Sequence, residues 1–277
     1  MNWYPTSAPP QFGMLPLVAG TLSVTLLTAV IAIPLGISTA IYIAEIAHHK
    51  VKEYLKPFIE MLASFPSVVL GFFGMVIIAP ILSNWLSPLL SESLPELLKG
   101  TGLPFISTLL ADFCSNKFFI TSGLNMFTAA LMLTVRAIPV ISSIAEDAIT
   151  AVPRTYREAS YSLGAGRWQT IWRVVIPASV SGLSVAIILG IGTIIGETMI
   201  VLMVAGGAAV VPHWIFDPIR PMPSAIAAEM AEAAYGSPHY HALFGIGALL
   251  FLITLSLSLI SDFVSRKYRS TKIGEKV

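Results

Sequence analysis

The sequence predicts an all-helical, polytopic membrane protein, and three observations predict it. Apolar residues make up 55% of the chain and charged residues only 11%, where a soluble domain carries roughly 25% charged residues. Five stretches, 17–43, 58–82, 119–144, 177–204 and 242–261, are apolar over lengths near the roughly 20 residues that cross a bilayer. The cations fall almost entirely between every second pair of these stretches. The same composition excludes other classes. Disorder needs low hydrophobicity, nucleic-acid binding needs a basic surplus where the net charge here is +1, and Cys114 is the single cysteine, so no intrachain disulfide forms.

The first stretch carries no cation, and the first one met along the chain is Lys50. Pro34, Pro66 and Pro139 interrupt the first three stretches, as expected where helices bend and pack through small residues. Sorting the cations places Lys50, Lys52, Lys56, Arg154, Arg157, Arg167, Arg173, Arg266, Lys267, Arg269, Lys272 and Lys276 on one side. Lys99, Lys117 and Arg220 are on the other. Twelve against three makes the richer side cytoplasmic and puts Met1 outside. Residues 1–16 lack the basic region of a signal peptide. The external loop 83–118 holds apolar pieces, Leu94–Leu98 and Phe105–Leu110, that read as short surface helices; in the external loop 205–241, Ser224 reads as an N-cap for Ala225–Ala234. No repeat or low-complexity linker divides the chain, so 1–277 reads as one transmembrane domain.

No G-x-x-x-x-G-K-[ST] phosphate loop, H-E-x-x-H or G-x-S-x-G motif occurs, and the five histidines are scattered. The reading is a non-enzyme with no catalytic residues, no metal site and no nucleic-acid partner.

The loop 150–176 is the most informative stretch. Arg154 to Ser162 reads as a short helix stopped by Gly164, followed by a turn and a second amphipathic helix running into the next span at Pro177. Tyr161, Leu163 and Trp168 are buryable side chains among its charges. The segment resembles the coupling loop of the membrane subunits of binding-protein-dependent ABC importers: E-A-A, three residues, G, nine residues, I-x-L-P. Here the match is Glu158-Ala159-Ser160, then Gly164, then Val174, Ile176 and Pro177. The resemblance implies a permease bundle of about five spans plus a cytoplasmic coupling helix in a prokaryotic inner membrane. It also implies that Glu158 to Gly164 insert into a separate ATPase, which alone binds ATP and Mg. The implied partners are an ATPase dimer, a second homologous permease, an external binding protein and membrane lipid.

Three further stretches make the chain similar to phosphate-type permeases of that family: residues 59–74, Gly196-Glu197-Thr198-Met199, and the region from Phe216 onward. The implied substrate is inorganic phosphate, with molybdate, tungstate, sulfate or phosphonate as the alternative oxyanions and a secondary transporter as the alternative class. Such permeases usually have a helix before the point where this sequence begins, so an apolar segment of about 20 residues is expected upstream of Met1. They commonly read G-R-A-x-G-E where this chain has Gly192-Thr193-Ile194-Ile195-Gly196-Glu197, with threonine in place of arginine.

A charge at mid-bilayer costs about 2.5–3.5 kcal/mol on insertion scales, so intramembrane Arg136 and Glu197 need partners or a purpose. Counting back from Glu146 places Arg136 about 15 Å deep. Asn125, Ala129, Met132, Val140, Ser143 and Asp147 share its helical face, and Gly182, Ala186, Gly190, Thr193 and Glu197 form a matching stripe. Gly192 and Gly196 form a G-x-x-x-G pair suited to close helix contact. These stripes either line an anion pathway, with Arg136, Glu197, Thr193 and Thr198 as candidates, or hold an ion pair and helix contacts. Ser64, Ser67, Gly71 and Gly74 give the second span a small stripe fit for hydroxyl donation to an oxyanion or for tight packing.

Overall fold

The computed structural model describes residues 2–86, 88 and 123–273. The expected pieces at Leu94–Leu98 and Phe105–Leu110, the start of the third stretch at 119–122, Cys114, Lys99 and Lys117 lie outside the described residues. A two-residue hairpin, β1 (Trp3–Tyr4) paired antiparallel with β2 (Gln11–Phe12), precedes an otherwise helical chain. Helix α1 (Leu15–Ile41) runs on through a wide π-type turn, Tyr42–Ile46, and is followed by α2 (His49–Ala63). Helix α3 (Ser67–Phe73) continues through Leu86, then come α4 (Met126–Thr150), α5 (Arg154–Ser162) and α6 (Arg167–Thr170). A wide turn, Ile171–Val175, joins α6 to α7 (Ile176–Ile195), after which lie α8 (Met199–Val204), α9 (Met222–Glu229) and α10 (Pro238–Ile273).

Five helical stretches are long and apolar enough to cross a membrane: Leu15–Ile46, Ser67–Trp85, Met126–Thr150, Arg167–Ile195 and Pro238–Ile260. Their bounds correct the sequence reading at four span ends. The second begins at Ser67, not residue 58, because Pro66 excludes Phe65 from helical backbone and leaves α2 as a separate amphipathic helix. The third reaches Thr150 because the carboxylates Glu146 and Asp147 meet lysine partners, so the helix carries them. The fourth begins at Arg167, since the wide turn before Pro177 accommodates a residue with no N–H to donate. That span ends at Ile195, and Gly196 caps it, so Glu197 and Thr198 sit in a break before α8 and not on a continuous helical stripe.

The residues group into two compact units, neither contiguous in sequence. Unit 1 comprises Met1–Leu27, Pro66–Leu133 and Glu197–Leu250; unit 2 comprises Thr28–Phe65, Thr134–Gly196 and Phe251–Val277. In unit 1, α3 lies against α8 at Gly71, where an added Cβ would come 2.9 Å from the Met203 sulfur and 3.2 Å from the Met199 carbonyl. Gly74 similarly admits Met132 and Val204, so these two members of the small stripe serve packing. Helix α9 starts at Met222, with Pro223 in its first turn. Ser224 therefore lies inside the helix, its hydroxyl donating to the Pro221 carbonyl at 2.8 Å, and is not the N-cap.

In unit 2 the core gathers Ala40 and Ile41 of α1, Ala145 and Ile149 of α4, Ile171 and Val175 of the wide turn, and Leu183 and Ala186 of α7. Gly182 and Gly190 of α7 admit Ala148 and Ile141 of α4, with no room for a side chain. The G-x-x-x-G pair makes no such contact among the described residues of this chain. A Cβ at Gly192 would meet nothing within 4 Å, and one at Gly196 only its own helix's Gly192 carbonyl at 3.5 Å. The close contact occurs at the 182–190 spacing because those positions face α4.

Candidate functional site

The segment resembling a coupling loop lies wholly in unit 2 and is built from α5, a glycine turn and α6. Gly164 has φ +81°, a conformation that costs a residue with a Cβ but not glycine. Its N–H donates to the Tyr161 carbonyl at 2.9 Å, and the Ala165 N–H donates to the Ser160 carbonyl at 3.2 Å. Those two bonds are the Schellman closure that satisfies the last carbonyls of a helix. Gln169 then reaches back to accept from the Gly166 N–H at 3.1 Å, fixing the start of α6. The two helices are tied by the buried Ser160 and Thr170 hydroxyls, 2.9 Å apart.

Beneath this corner, Arg157 is the hub. Its Nε and Nη2 donate to Glu45 Oε1 at 3.0 and 2.6 Å, and its remaining protons go to the carbonyls of Val152 at 2.5 Å and Ile149 at 3.0 Å. Arg167 donates to the Glu45 carbonyl. The guanidinium fork, which a lysine does not reproduce, thus fastens α5 to the ends of α1 and α4. Of the six residues read as coupling residues, Glu158, Ala159 and Gly164 are exposed, Ser160 is buried against Thr170, Ile176 is half-buried and Pro177 is exposed. The apolar side chains of the corner face outward: Leu163 is 89% exposed and Trp168 61%, and Tyr156, Tyr161 and Trp172 are also exposed. Read as buryable, Tyr161, Leu163 and Trp168 are not buried within this chain.

A second polar cluster holds α2 to α4. Lys52 Nζ lies 2.6 Å from Glu146 Oε1, and Lys56 Nζ lies 2.5 Å from Glu146 Oε2 and 3.2 Å from Asp147 Oδ1. The hydrogen bond that Lys56 donates to Glu146 is the main cause that holds its ammonium above its usual range, burial opposing it. At the other end of α2, Arg136 donates to the Ala63 carbonyl. A guanidinium there satisfies a terminal carbonyl and complements the negative end of the helix dipole. Ser64 is the C-cap of that same helix, its hydroxyl 3.4 Å from the Glu60 carbonyl.

The remaining candidates are spread. Ser67 opens α3, and the Thr193 hydroxyl donates to the Leu189 carbonyl of its own helix at 3.0 Å. Thr198 precedes α8, its carbonyl accepting from Leu202 N–H at 3.0 Å. Arg136 belongs to unit 2, whereas Glu197 opens a segment of unit 1. Asn125 stands before α4 and caps it, its side-chain oxygen accepting from the Thr128 N–H at 3.0 Å, so it does not extend the Arg136 stripe.

Sequence reasoning did not find Glu45, Glu146 or Glu229. Glu229 is the hub of unit 1. Trp3 Nε1 donates to both its oxygens at 3.1 Å, Arg220 Nη1 lies 2.5 Å from Oε1, and His239 Nε2 lies 2.8 Å from Oε2. Arg220 Nε also donates to the Gly207 carbonyl at 2.7 Å. An acid inside or flanking an apolar segment was the available signal in each case, and it names no partner.

The chain and its fold are matched by known proteins. Residues 32–270 match the family described as binding-protein-dependent transport system inner membrane component. The chain is 35% identical over 267 residues to the probable ABC transporter permease protein YqgH of Bacillus subtilis, covering 96% of this chain and 76% of that one. It is 32% identical to the phosphate transport system permease protein PstC of Haemophilus influenzae, covering 95% of this chain and 78% of the relative. Among solved structures, it overlays on one of the MetNI methionine ABC transporter in an inward-facing conformation with TM-score 0.57 and 19% identity, covering 92% of this chain and 94% of that one. A bacterial alginate ABC transporter in complex with its alginate-bound periplasmic protein overlays with TM-score 0.61 and 16% identity, covering 92% and 78%. The chain belongs to the binding-protein-dependent transport system inner membrane component family and is a multi-pass permease of the ABC importer type.

Proposed function

We propose that this permease moves inorganic phosphate inward, powered by ATP hydrolysed on a separate ATPase dimer that also binds the Mg. A second homologous permease and an external phosphate-binding protein complete the transporter. The observation that carries the coupling half of this reading is the α5–turn–α6 corner, which is rigidly fastened by Arg157 and Ser160 yet exposes Tyr161, Leu163 and Trp168. An exposed aromatic and aliphatic surface on a stiff support suits docking against another protein. Glu158 and Ala159 lie on that surface, which faces the cytoplasm with the carboxyl-terminal tail by the twelve-to-three division of cations. Closure of the ATPase then moves the corner, and Ile176–Pro177 pass the movement into α7 as a rigid body.

Relatives named as phosphate permeases, including one from Pasteurella multocida that is 34% identical over 260 residues, support phosphate as the substrate. The candidate pathway residues are Ser64, Arg136 and Thr193 in unit 2 and Ser67, Glu197 and Thr198 in unit 1. A carboxylate repels an oxyanion, so Glu197 tunes or gates the path and does not hold the substrate. Competition decides the substrate: uptake of radioactive phosphate into vesicles bearing the complete transporter is expected to resist excess molybdate, tungstate, sulfate and phosphonate. Stronger inhibition by one of these than by unlabelled phosphate assigns the transporter to that anion. Arg136→Met removes the donor to the α2 terminus, an expected loss of about 1–3 kcal/mol for an orphaned carbonyl. It should also depress uptake strongly; wild-type uptake would remove Arg136 from the pathway.

A further inference from the structure

Helix α2 has three faces. Ile59 is buried, and on its side Lys52 and Lys56 meet Glu146. His49, Glu53 and Glu60 form an exposed polar strip, with His49 Nδ1 3.2 Å from Glu53. Val51, Tyr54, Phe58 and Met61 recur at three- and four-residue spacing and make an apolar face, Tyr54 being 80% exposed and Met61 64%. At roughly 100° per residue, the apolar face is centred about 135° around the axis from the polar strip. A shallow groove on it is lined by Lys50, Val51, Tyr54, Leu55 and Phe58.

The location of this face limits what covers it. Only Ala47 and His48 separate α2 from the membrane-spanning α1 with its terminal turn, and only Ser64 to Pro66 separate it from the next span. Both ends of α2 are therefore tethered at the bilayer boundary. At 15 residues, with lysines and glutamates, it is too short and too charged to cross. A helix so tethered, polar on one side and apolar on another, lies in the interface plane with its apolar side toward the acyl chains. Lys50 stands on the shoulder of the apolar face, exposed and without an acidic partner among the described residues. An ammonium on a flexible stem there reaches a headgroup phosphate while its methylenes stay with the apolar side chains.

We propose that α2 is a lipid-docking helix: Val51, Tyr54, Phe58 and Met61 enter the leaflet on its side of the membrane, and Lys50 binds an anionic phospholipid headgroup. The anchoring fixes α2, and through Lys52, Lys56 and Glu146 the end of α4, relative to the bilayer surface. The proposal is independent of which anion is transported.

Spin labels test it in the full chain, carrying Cys114→Ser, assembled with its transporter subunits and reconstituted in phosphatidylcholine vesicles with or without phosphatidylglycerol. Labels on Tyr54→Cys and Phe58→Cys are expected to collide more with membrane-dissolved oxygen than with an aqueous nickel chelate, and those on Glu53→Cys and Glu60→Cys the reverse. Dominant nickel access at both apolar positions would place the face in water; shielding from both reagents would place it against the second permease or another protein; either overturns the proposal. Phosphatidylglycerol should raise the oxygen-to-nickel ratio at Phe58→Cys at least twofold, and Lys50→Gln should abolish that gain. An equal ratio in both vesicles, or a gain that survives Lys50→Gln, refutes the headgroup contact.

Discussion

Arg157→Ala is expected to abolish transport and to lower stability by about 3–5 kcal/mol, the cost of breaking a buried ion pair by removing one partner. The Glu45 side chain is only 8% exposed, so the substitution strands a carboxylate as well as the carbonyls of Ile149 and Val152. Arg157→Lys should recover only part of the loss, because one ammonium cannot hold the carboxylate and both carbonyls in the geometry of a planar fork. Replacing the pair with apolar residues, Arg157→Met with Glu45→Leu, should recover thermal stability while leaving uptake low, since the corner would be packed but no longer fastened in direction. Thermal unfolding of the purified chain, followed beside uptake, separates these effects. Stability and uptake both near wild type in Arg157→Ala would show that the corner does not depend on this hub.

Glu229→Ala should be comparably severe for unit 1. Its carboxylate accepts from Trp3, Arg220 and His239 together, and Trp3 is 1% exposed although it is the third residue of the chain. Removing the carboxylate leaves a partly buried guanidinium and an indole N–H without their acceptor, an expected loss of about 3–5 kcal/mol. Release of the hairpin gives a specific signature: limited proteolysis should cut between Trp3 and Phe12 much faster in Glu229→Ala than in the wild type. Glu229→Gln keeps one acceptor oxygen and should fall between the two. Equal cleavage rates in all three would mean that the hairpin is held by the aromatic contacts of Trp3 and Phe12 with His239 and not by the carboxylate.

The apolar spans and the glycine-stopped corner were legible in the sequence because their signals are local. A run of about 20 apolar residues needs no partner to be recognised, and Gly164 announces a positive φ by its residue type and offset. Breaks at span ends were less legible. Gly196-Glu197-Thr198 continues an apolar run in composition, and only the cap at Gly196 shows that the helix stops there. The charged hubs were illegible for a different reason. Glu45 meets Arg157 across 112 residues and Trp3 meets Glu229 across 226, and no periodicity connects positions that far apart. The same holds for packing: both glycine spacings in α7 looked suitable for close contact, and which one meets α4 depends on the rotation of the helix about its axis.

The most direct measurement is ATP hydrolysis by the complete transporter in vesicles, with and without phosphate-loaded binding protein, comparing the wild type with Ala159→Asp. The Ala159 side chain is exposed on α5, and its carbonyl, which accepts from the Leu163 N–H at 3.2 Å, is kept by aspartate, so the substitution should leave membrane insertion intact. In the wild type, loaded binding protein is expected to raise hydrolysis several-fold and phosphate to accumulate inside. In Ala159→Asp the stimulation and the accumulation should both disappear, because a charge is forced into the surface proposed to meet the ATPase. Normal stimulation and uptake in that variant, or phosphate accumulation by the wild type without ATP, would contradict coupling through the α5–turn–α6 corner.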